Sequence, residues 1–545
     1  MKINIINRQT QPYSDQRAGT SGLRKKVRHF QQENYLENFI QALFDTINVA
    51  EKTLVLGGDG RFYNREAIQI IIQMAAANGV AKLYIGRDGI LSTPAASHLI
   101  RKFSTDGGII LSASHNPGGP EADFGIKFNS ANGGPANTEL SDKFYATACK
   151  ISEYKIADIG DINLDTLREE KIGDTVIEVI DSVSEYCSLM QKLFDFDRIH
   201  NLFDSGVFHI RFDAMNAVTG PYAKAIFEKT LGATHGSVIR AQPLEDFGGG
   251  HPDPNPMYAS ELYAHMFAPD ASDFGAASDG DGDRNMIMGQ QFMVSPGDSL
   301  AIIAANASRI PGYRDGVTGV ARSMPTSRAV DRVAAYMGIE CFETPTGWKY
   351  FSNLLDQRLI TFCGEESFGT GSDHLREKDG IWAVLFWLNI LAERQQSVRD
   401  IVQQHWHGFG RHFYCRHDYE GISLQQGENV IARLTEQLPQ LSGKRIDGHE
   451  IIVGDDFSYL DPVDNSLSCN QGLRIILDNE IRIIYRLSGT STENATLRVY
   501  LERFEPEPEK QMQDTQVALA DVAKISRTLA KVNELTGLNE PTLIV

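Results

Sequence analysis

The chain of 545 residues has little positive charge, few cysteines and no long apolar run. Its 52 lysines and arginines stand against 71 aspartates and glutamates, a formal net charge of −19. Nucleic acid and anionic membrane surfaces are gripped by a surplus of cations, so neither is an expected partner. Six cysteines lie scattered from Cys149 to Cys469 with no C-x-x-C pair, a usage that fits a reducing compartment better than a secreted one. The opening MKINIINRQTQPY lacks the apolar core of a signal peptide. The most apolar helical stretch, Ile381 to Ala392, is short and interrupted by Asn389. These absences lead us to expect a soluble cytoplasmic protein that acts on small molecules or proteins. The length exceeds one ordinary core and predicts three or four domains.

What the chain does have is a repeated strand and helix rhythm. TLVLGGD reads as a strand, Asn64 can cap a helix through EAIQIIIQMAAA that stops at Gly79, and AKLYIGRDG is a second strand. Thr93 and Pro94 make a cap and first turn for PAASHLIRKF, and GGIILSAS is a third strand. Strands separated by single helices need crossovers, so a mostly parallel sheet covered by helices is expected. The rhythm returns at HIRFDAMN, the helical AKAIFEKTLG and FGAAS, and again from GVTGVARS through a helix from Thr326 to Gly338, IECFETP, the helical WKYFSNLLDQ and ITFCGEE. A charged, turn-rich stretch from His405 to His417 suggests a boundary. Beyond it IRIIYRLSGTS and ATLRVYLERF read as antiparallel strands, and Met512 to Leu535 as one amphipathic helix. No close sequence repeat is present.

Chemistry concentrates in loops after the strands. Asp279-Gly280-Asp281-Gly282-Asp283-Arg284 sets three carboxylates at alternate positions, with glycines that let the backbone curl them onto one cation. Oxygen ligands favour Mg²⁺ or Ca²⁺. A calcium-binding EF-hand loop would need Gly and Glu where Arg284 and Gln290 stand, so Mg²⁺ is expected. An Asp/Gly surface turn would carry the same letters. GTSGLRKK from Gly19 to Lys26, and RLSGTS from Arg486 to Ser491 with Arg498 beyond it, combine free amides, hydroxyls and cations. Such groups hold a phosphate dianion, although either loop could also be a solvated turn. GEESFG at Gly364 to Gly369 offers a carboxylate and a hydroxyl suited to vicinal sugar hydroxyls.

SASHNPGG, from Ser112 to Gly119, puts Ser114 and His115 side by side on a tight turn. It is not the G-x-S-x-G elbow of a hydrolase. Neighbours on extended backbone point apart, which makes His115 a poor base for Ser114. A serine that carries a phosphoryl group needs a metal site and phosphate grips nearby, and this chain has candidates for both.

The ordered set SASHNPGG, DGDGDR, GEESFG with REKDG, and RLSGTS resembles the α-D-phosphohexomutase superfamily, and GTSGLRKKV, ETPTGWKYF and CGEESFGTGSDHLREKDG resemble its phosphoglucomutase branch. The likeness spans about residues 17 to 500 and implies an α/β fold with a heart-shaped, four-domain architecture: three related α/β domains and a C-terminal TBP-like α+β domain around a central cleft. The expected domains are 1–195 with the phosphoserine loop, 196–305 with the metal loop, 306–406 with the sugar loop and 407–545 with the phosphate grip. By the same resemblance Ser114 carries the phosphoryl and, with Asp279, Asp281 and Asp283, binds one Mg²⁺. Lys378 is the implied proton shuttle, with His115, Arg24, Lys127 and Arg284 around the transferred group. Glu365 and Ser367 would hold sugar hydroxyls, Thr346 and Gly347 the sugar-selecting loop, and Arg486, Ser488, Gly489, Thr490 and Arg498 the non-reacting phosphate. The implied reaction interconverts glucose 1-phosphate and glucose 6-phosphate through glucose 1,6-bisphosphate, with a phosphomannomutase or other phosphohexomutase, or a catalytically idle scaffold, as alternatives. Ser112 stands where many relatives have Thr, and Asn116 is kept.

Overall fold

The computed structural model describes residues 3–19, 21–489 and 494–545. The chain divides into two compact units, one of residues 1–296, 305–318 and 347–399, the other of 297–304, 319–346 and 400–545.

In the first unit, a seven-stranded sheet runs in the order Leu23–Lys26, Asp123–Ser130, Gly107–Leu111, Thr53–Gly58, Lys82–Ile90, Thr175–Ile180, Arg168–Ile172. The four strands Gly107–Leu111, Thr53–Gly58, Lys82–Ile90 and Thr175–Ile180 are parallel, as expected. The remaining three pair antiparallel, so the sheet is mixed: a parallel centre with antiparallel edges. Leu54, Val55, Leu56, Ile109, Ile110 and Leu111 are fully buried, the continuous apolar pattern of strands covered on both faces. A second sheet in this unit has the order Val238–Ile239, Ile210–Asp213, Phe274–Ala277, Met286–Gly289, Phe292–Met293. Its first three strands are parallel, and the polar loops that follow Gly107–Leu111 and Phe274–Ala277 carry SASHNPGG and DGDGDR.

Two helix starts differ from expectation, and one matters for the site. The helix Thr93–Lys102 is capped by Ser92, whose hydroxyl accepts from Ala95 N at 3.2 Å, so Thr93 is its first helical residue and its hydroxyl is free for other work. The helix Asn64–Ala77 begins at Asn64 itself, whose side-chain amide donates to the Gly89 carbonyl at 3.3 Å instead of capping. The apolar stretch around Ile381 is the helix Gly380–Arg394, buried from Gly380 to Ala392, and Asn389 Oδ1 accepts from Asp195 N at 2.9 Å. Its hydropathy is that of a core helix. Among the described residues no helix is long and apolar enough to cross a membrane.

The second unit holds a seven-stranded antiparallel sheet in the order Arg445–Ile446, His449–Asp456, Leu473–Leu477, Arg482–Gly489, Asn494–Glu505, Arg411–Ser423, Leu543–Ile544. The stretch from His405 to His417 is not turn-rich: the helix Val398–Phe409 passes through Gly410 at φ 82° straight into the strand Arg411–Ser423. Within this stretch, expected to be charged and turn-rich, His412 and His417 are buried. The C-terminal helix is also broken into Thr515–Ala518, Ala520–Ala530 and Val532–Thr536, with Lys531 in the left-handed region at φ 48°.

Candidate active site

Ser114 lies just beyond the strand Gly107–Leu111, buried and in the left-handed region at φ 52°. A non-glycine residue holds that conformation only where its surroundings over-determine it. Here a buried ion pair does so. Arg61 and Asp59, both with wholly inaccessible side chains, are 2.9 Å apart, and Arg61 donates to the Ser114 carbonyl at 2.7 Å and the Asp123 carbonyl at 2.9 Å. Ser112 donates its hydroxyl proton to Asp59 at 2.6 Å and accepts from Ser114 N at 2.7 Å. Burial, ahead of the opposing pull of Arg61, raises the Asp59 carboxyl above its ordinary range.

With its backbone clamped, Ser114 directs its hydroxyl to Asp279 Oδ2 at 2.9 Å. Asp279, Asp281 and Asp283 are buried, with ligand oxygens within 4.8 Å of one another. Each carboxylate has one oxygen committed elsewhere. Asp279 Oδ1 accepts from Asp283 N and Arg284 N at 2.9 and 3.1 Å, Asp281 Oδ2 accepts from Thr93 Oγ1 at 2.6 Å, and Asp283 Oδ2 lies 3.1 Å from Lys378 Nζ. Asp281 Oδ1 and Asp283 Oδ1 are buried without a hydrogen-bond partner. Three convergent carboxylates with orphaned oxygens fit a hard divalent cation. Burial, then Asp283 and Asp281, holds the Asp279 carboxyl well above the usual range. Burial acts the same way on Asp281, but Lys127 and Thr93 outweigh it and keep that carboxyl low.

The cations predicted from the sequence gather here. Lys127 is 3.0 Å from Glu377 and 4.0 Å from Asp281, and Arg284 is 3.2 Å from Asp253 and 3.9 Å from Asp279. Burial pulls the Lys378 ammonium down, but Asp283 and Glu365 prevail and push it up to about 12. Arg24 is lowered by burial, with Asp281 and Asp283 opposing, and its Nε has no hydrogen-bond partner. His115 is held well below its usual range by burial and then by Arg284 and Arg24, and its Nδ1 is likewise unpartnered. Ser114 is not on extended backbone, yet the conclusion about His115 stands, because the serine hydroxyl engages Asp279. Glu365 accepts from Gly347 N at 3.0 Å, and Ser367 is half-buried in the turn that follows.

The remaining predicted residues lie in the other unit. Arg486 and Arg498 stand directly opposite each other on adjacent antiparallel strands, and Ser488 stands opposite Thr496. Facing like charges weaken a sheet. Arg498 Nε is buried without a hydrogen bond among the described residues and lies 3.9 Å from Asp418 Oδ2, and Arg486 donates to the Gln471 carbonyl at 3.3 Å and to Tyr500 at 3.4 Å. Gly489 ends its strand, Thr346 Oγ1 is buried without a partner, and Thr490 lies outside the described residues.

Sequence reasoning missed the roles of Asp59, Arg61, Thr93, Asp253 and Glu377. The local signals were GGDGR at the end of the strand Thr53–Gly58, and REKDG, which holds Glu377. The same reasoning also gave a partial reason for the glycines of the metal loop. Gly282 does take φ 81°, but Gly280 serves close approach: a Cβ there would run into the Ser114 carbonyl oxygen. Gly280→Ala should therefore displace Ser114 and lower kcat by about a hundredfold with KM little changed. A steady-state assay of the variant checks this, and an unaltered kcat would mean the two loops can separate freely.

Family models described as phosphoglucomutase/phosphomannomutase α/β/α domains I, II and III match residues 15–155, 184–291 and 296–409, and one described as phosphoglucomutase-1, C-terminal domain, matches 411–542. The phosphoglucomutase of Rhizobium radiobacter is 55% identical over 98% of this chain and 99% of its own. The chloroplastic phosphoglucomutase of Arabidopsis thaliana is 51% identical over 99% of this chain and 89% of its own. The crystal structure of the Paramecium exocytosis-sensitive phosphoprotein parafusin, a phosphoglucomutase in its open form, superposes with a TM-score of 0.93 at 46% identity, covering all of both chains. The chain belongs to the phosphoglucomutase/phosphomannomutase family of the α-D-phosphohexomutase superfamily.

Proposed function

We propose that the protein is a phosphoglucomutase that interconverts glucose 1-phosphate and glucose 6-phosphate, with Ser114 as the phosphoryl carrier. The observation that carries this reading is the Ser114 hydroxyl on Asp279, inside a buried triad with orphaned carboxylate oxygens. The full-length relatives named phosphoglucomutase support glucose as the sugar. The domains are proposed to run 1–195, 196–305, 306–406 and 407–545, an order supported by the four matched segments.

Asp279 Oδ2, Asp281 Oδ1, Asp283 Oδ1 and an oxygen on Ser114 would hold Mg²⁺. When bound, the ion supplies Lewis-acid neutralisation of charge on the transferring phosphoryl oxygens. In the first half-reaction the bond from phosphorus to Ser114 Oγ breaks as a sugar hydroxyl oxygen bonds to phosphorus, giving glucose 1,6-bisphosphate. Lys378 Nζ, an ammonium held by Asp283 and Glu365, can give a proton to the departing Ser114 oxygen and recover one from the attacking hydroxyl. Arg24, Lys127 and Arg284 offset phosphoryl charge, His115 stays neutral as a hydrogen-bonding group, and Glu365 and Ser367 orient the sugar ring with Thr346 and Gly347. After the bisphosphate turns over, Ser114 recovers the other phosphoryl by the reverse step. Arg486, Ser488, Gly489, Thr490 and Arg498 hold whichever phosphate is not reacting. Arg486→Ala should thus raise KM about tenfold or more, since it removes charge-assisted bonds made equally in ground and transition states. Initial rates across substrate concentration check that split, and a fall in kcat alone would take Arg486 out of the grip.

The cytoplasm is the proposed compartment, supported by six free thiols and by relatives named as cytoplasmic in poplar and pea. The deciding assay is isomerisation of glucose 1-phosphate with Mg²⁺ and a trace of glucose 1,6-bisphosphate, run beside mannose 1-phosphate. Fast turnover of glucose with little of mannose is expected. No turnover by folded, phosphorylated protein would overturn the reading.

A further inference from the structure

We infer that Thr93 is a positioning residue for the metal triad, and that its hydroxyl selects which oxygen of Asp281 faces the ion. The inference rests on the proposal that the triad holds a divalent cation. Thr93 is fully buried and 188 residues from Asp281 in sequence, and it meets that residue twice: its backbone N–H donates to the Asp281 carbonyl at 2.9 Å, and its hydroxyl donates to Oδ2 at 2.6 Å. The second bond exists because Ser92, not Thr93, caps the helix. The loop is pressed against this helix start, where a Cβ on Gly282 would come within 3.4 Å of Ser92.

The consequence is geometric. A carboxylate can rotate, and Asp281 has a competitor for its charge, since Lys127 Nζ lies 4.0 Å from the same Oδ2. The Thr93 hydroxyl fixes the carboxylate plane, so Oδ1 stays unpartnered and is the oxygen left for an ion. Without the hydroxyl, Asp281 is free to swing onto Lys127, and the ion must then compete with a resident ammonium. Groups that hold a ligand's outer atom change metal affinity by about 10- to 100-fold when removed.

The test measures Mn²⁺ binding by electron paramagnetic resonance, on the full chain without substrate, for wild type, Thr93→Val and Thr93→Ser. Valine keeps the shape and the backbone bond while losing the hydroxyl. Serine keeps the hydroxyl. We expect the Mn²⁺ Kd to rise about 10- to 100-fold in the valine variant and to return to within about threefold of wild type in the serine variant. A Val variant that is folded and binds Mn²⁺ as wild type does would overturn the inference, as would equal weakening by Ser and Val. Should the valine chain fail to fold, Thr93→Ala makes the same comparison without added bulk. Wild-type protein that binds no Mn²⁺ would instead overturn the metal reading itself, and this inference with it.

Discussion

Ser114→Ala is expected to abolish isomerisation, by about a thousandfold or more, and leave the protein folded. The size of the loss follows from the role. A group that forms the covalent intermediate cannot be replaced by better binding elsewhere, so its removal costs nearly all the chemical rate. The small structural cost follows from the contacts. Arg61 holds the Ser114 carbonyl and Ser112 holds its N–H, both backbone groups that alanine retains. Only the bond from the hydroxyl to Asp279 is lost. Alanine at φ 52° is strained much as serine is, so the turn survives. Two measurements check this: a coupled assay of glucose 6-phosphate formation, and mass spectrometry for a phosphoryl group on the purified chain. Residual turnover above a few per cent would remove Ser114 from the carrier role. Turnover lost together with the thermal transition would make it structural.

The parts of the site that were legible are those whose members are neighbours in sequence. DGDGDR holds its three carboxylates within five residues, and the short loop keeps their oxygens within 4.8 Å of one another. What the sequence hid are the partners brought together by tertiary packing. Asp59 meets Ser112 across 53 residues, Thr93 meets Asp281 across 188, and Lys127 meets Glu377 across 250. The first joins the ends of neighbouring strands, and the other two join loops and a helix start to a different sheet, none of which local periodicity encodes. Element types were read well where apolar periods were strong, as in Thr53–Gly58 and Trp348–Asp356. They failed where buried polar groups mimic surface. His412 is 2.9 Å from Glu502, a buried carboxylate also held by Arg482, so a charged stretch that suggested a turn is part of a long strand. The C-terminal helix failed for a backbone reason, since amphipathic spacing continues across Lys531 while the chain turns left-handed there.

Arg61→Met should destabilise the protein by about 3–5 kcal/mol, because it leaves a buried charge without its partner. Methionine replaces much of the packing volume, including the contact with the Phe247 ring that lies 5.2 Å from the guanidinium. It cannot donate. The carbonyls of Ser114 and Asp123 lose their donor, and the Asp59 carboxylate, with an inaccessible side chain, keeps only the Ser112 hydroxyl and a backbone amide from residue 61. The pH dependence identifies the cause. Burial already raises the Asp59 carboxyl, and removing Arg61 raises it further. A carboxyl whose folded pKa exceeds its unfolded value of about 3.9 favours folding most when protonated. The deficit of the variant should therefore be smallest near pH 4 and grow as pH rises through the folded pKa. Asp59→Asn combined with Arg61→Met, which removes the stranded charge, should recover part of the loss. Differential scanning calorimetry across pH on the single and double variants tests all three statements. A deficit independent of pH, with no recovery in the double variant, would mean that Arg61 acts through packing alone. The clamp on Ser114 would then have to come from Ser112.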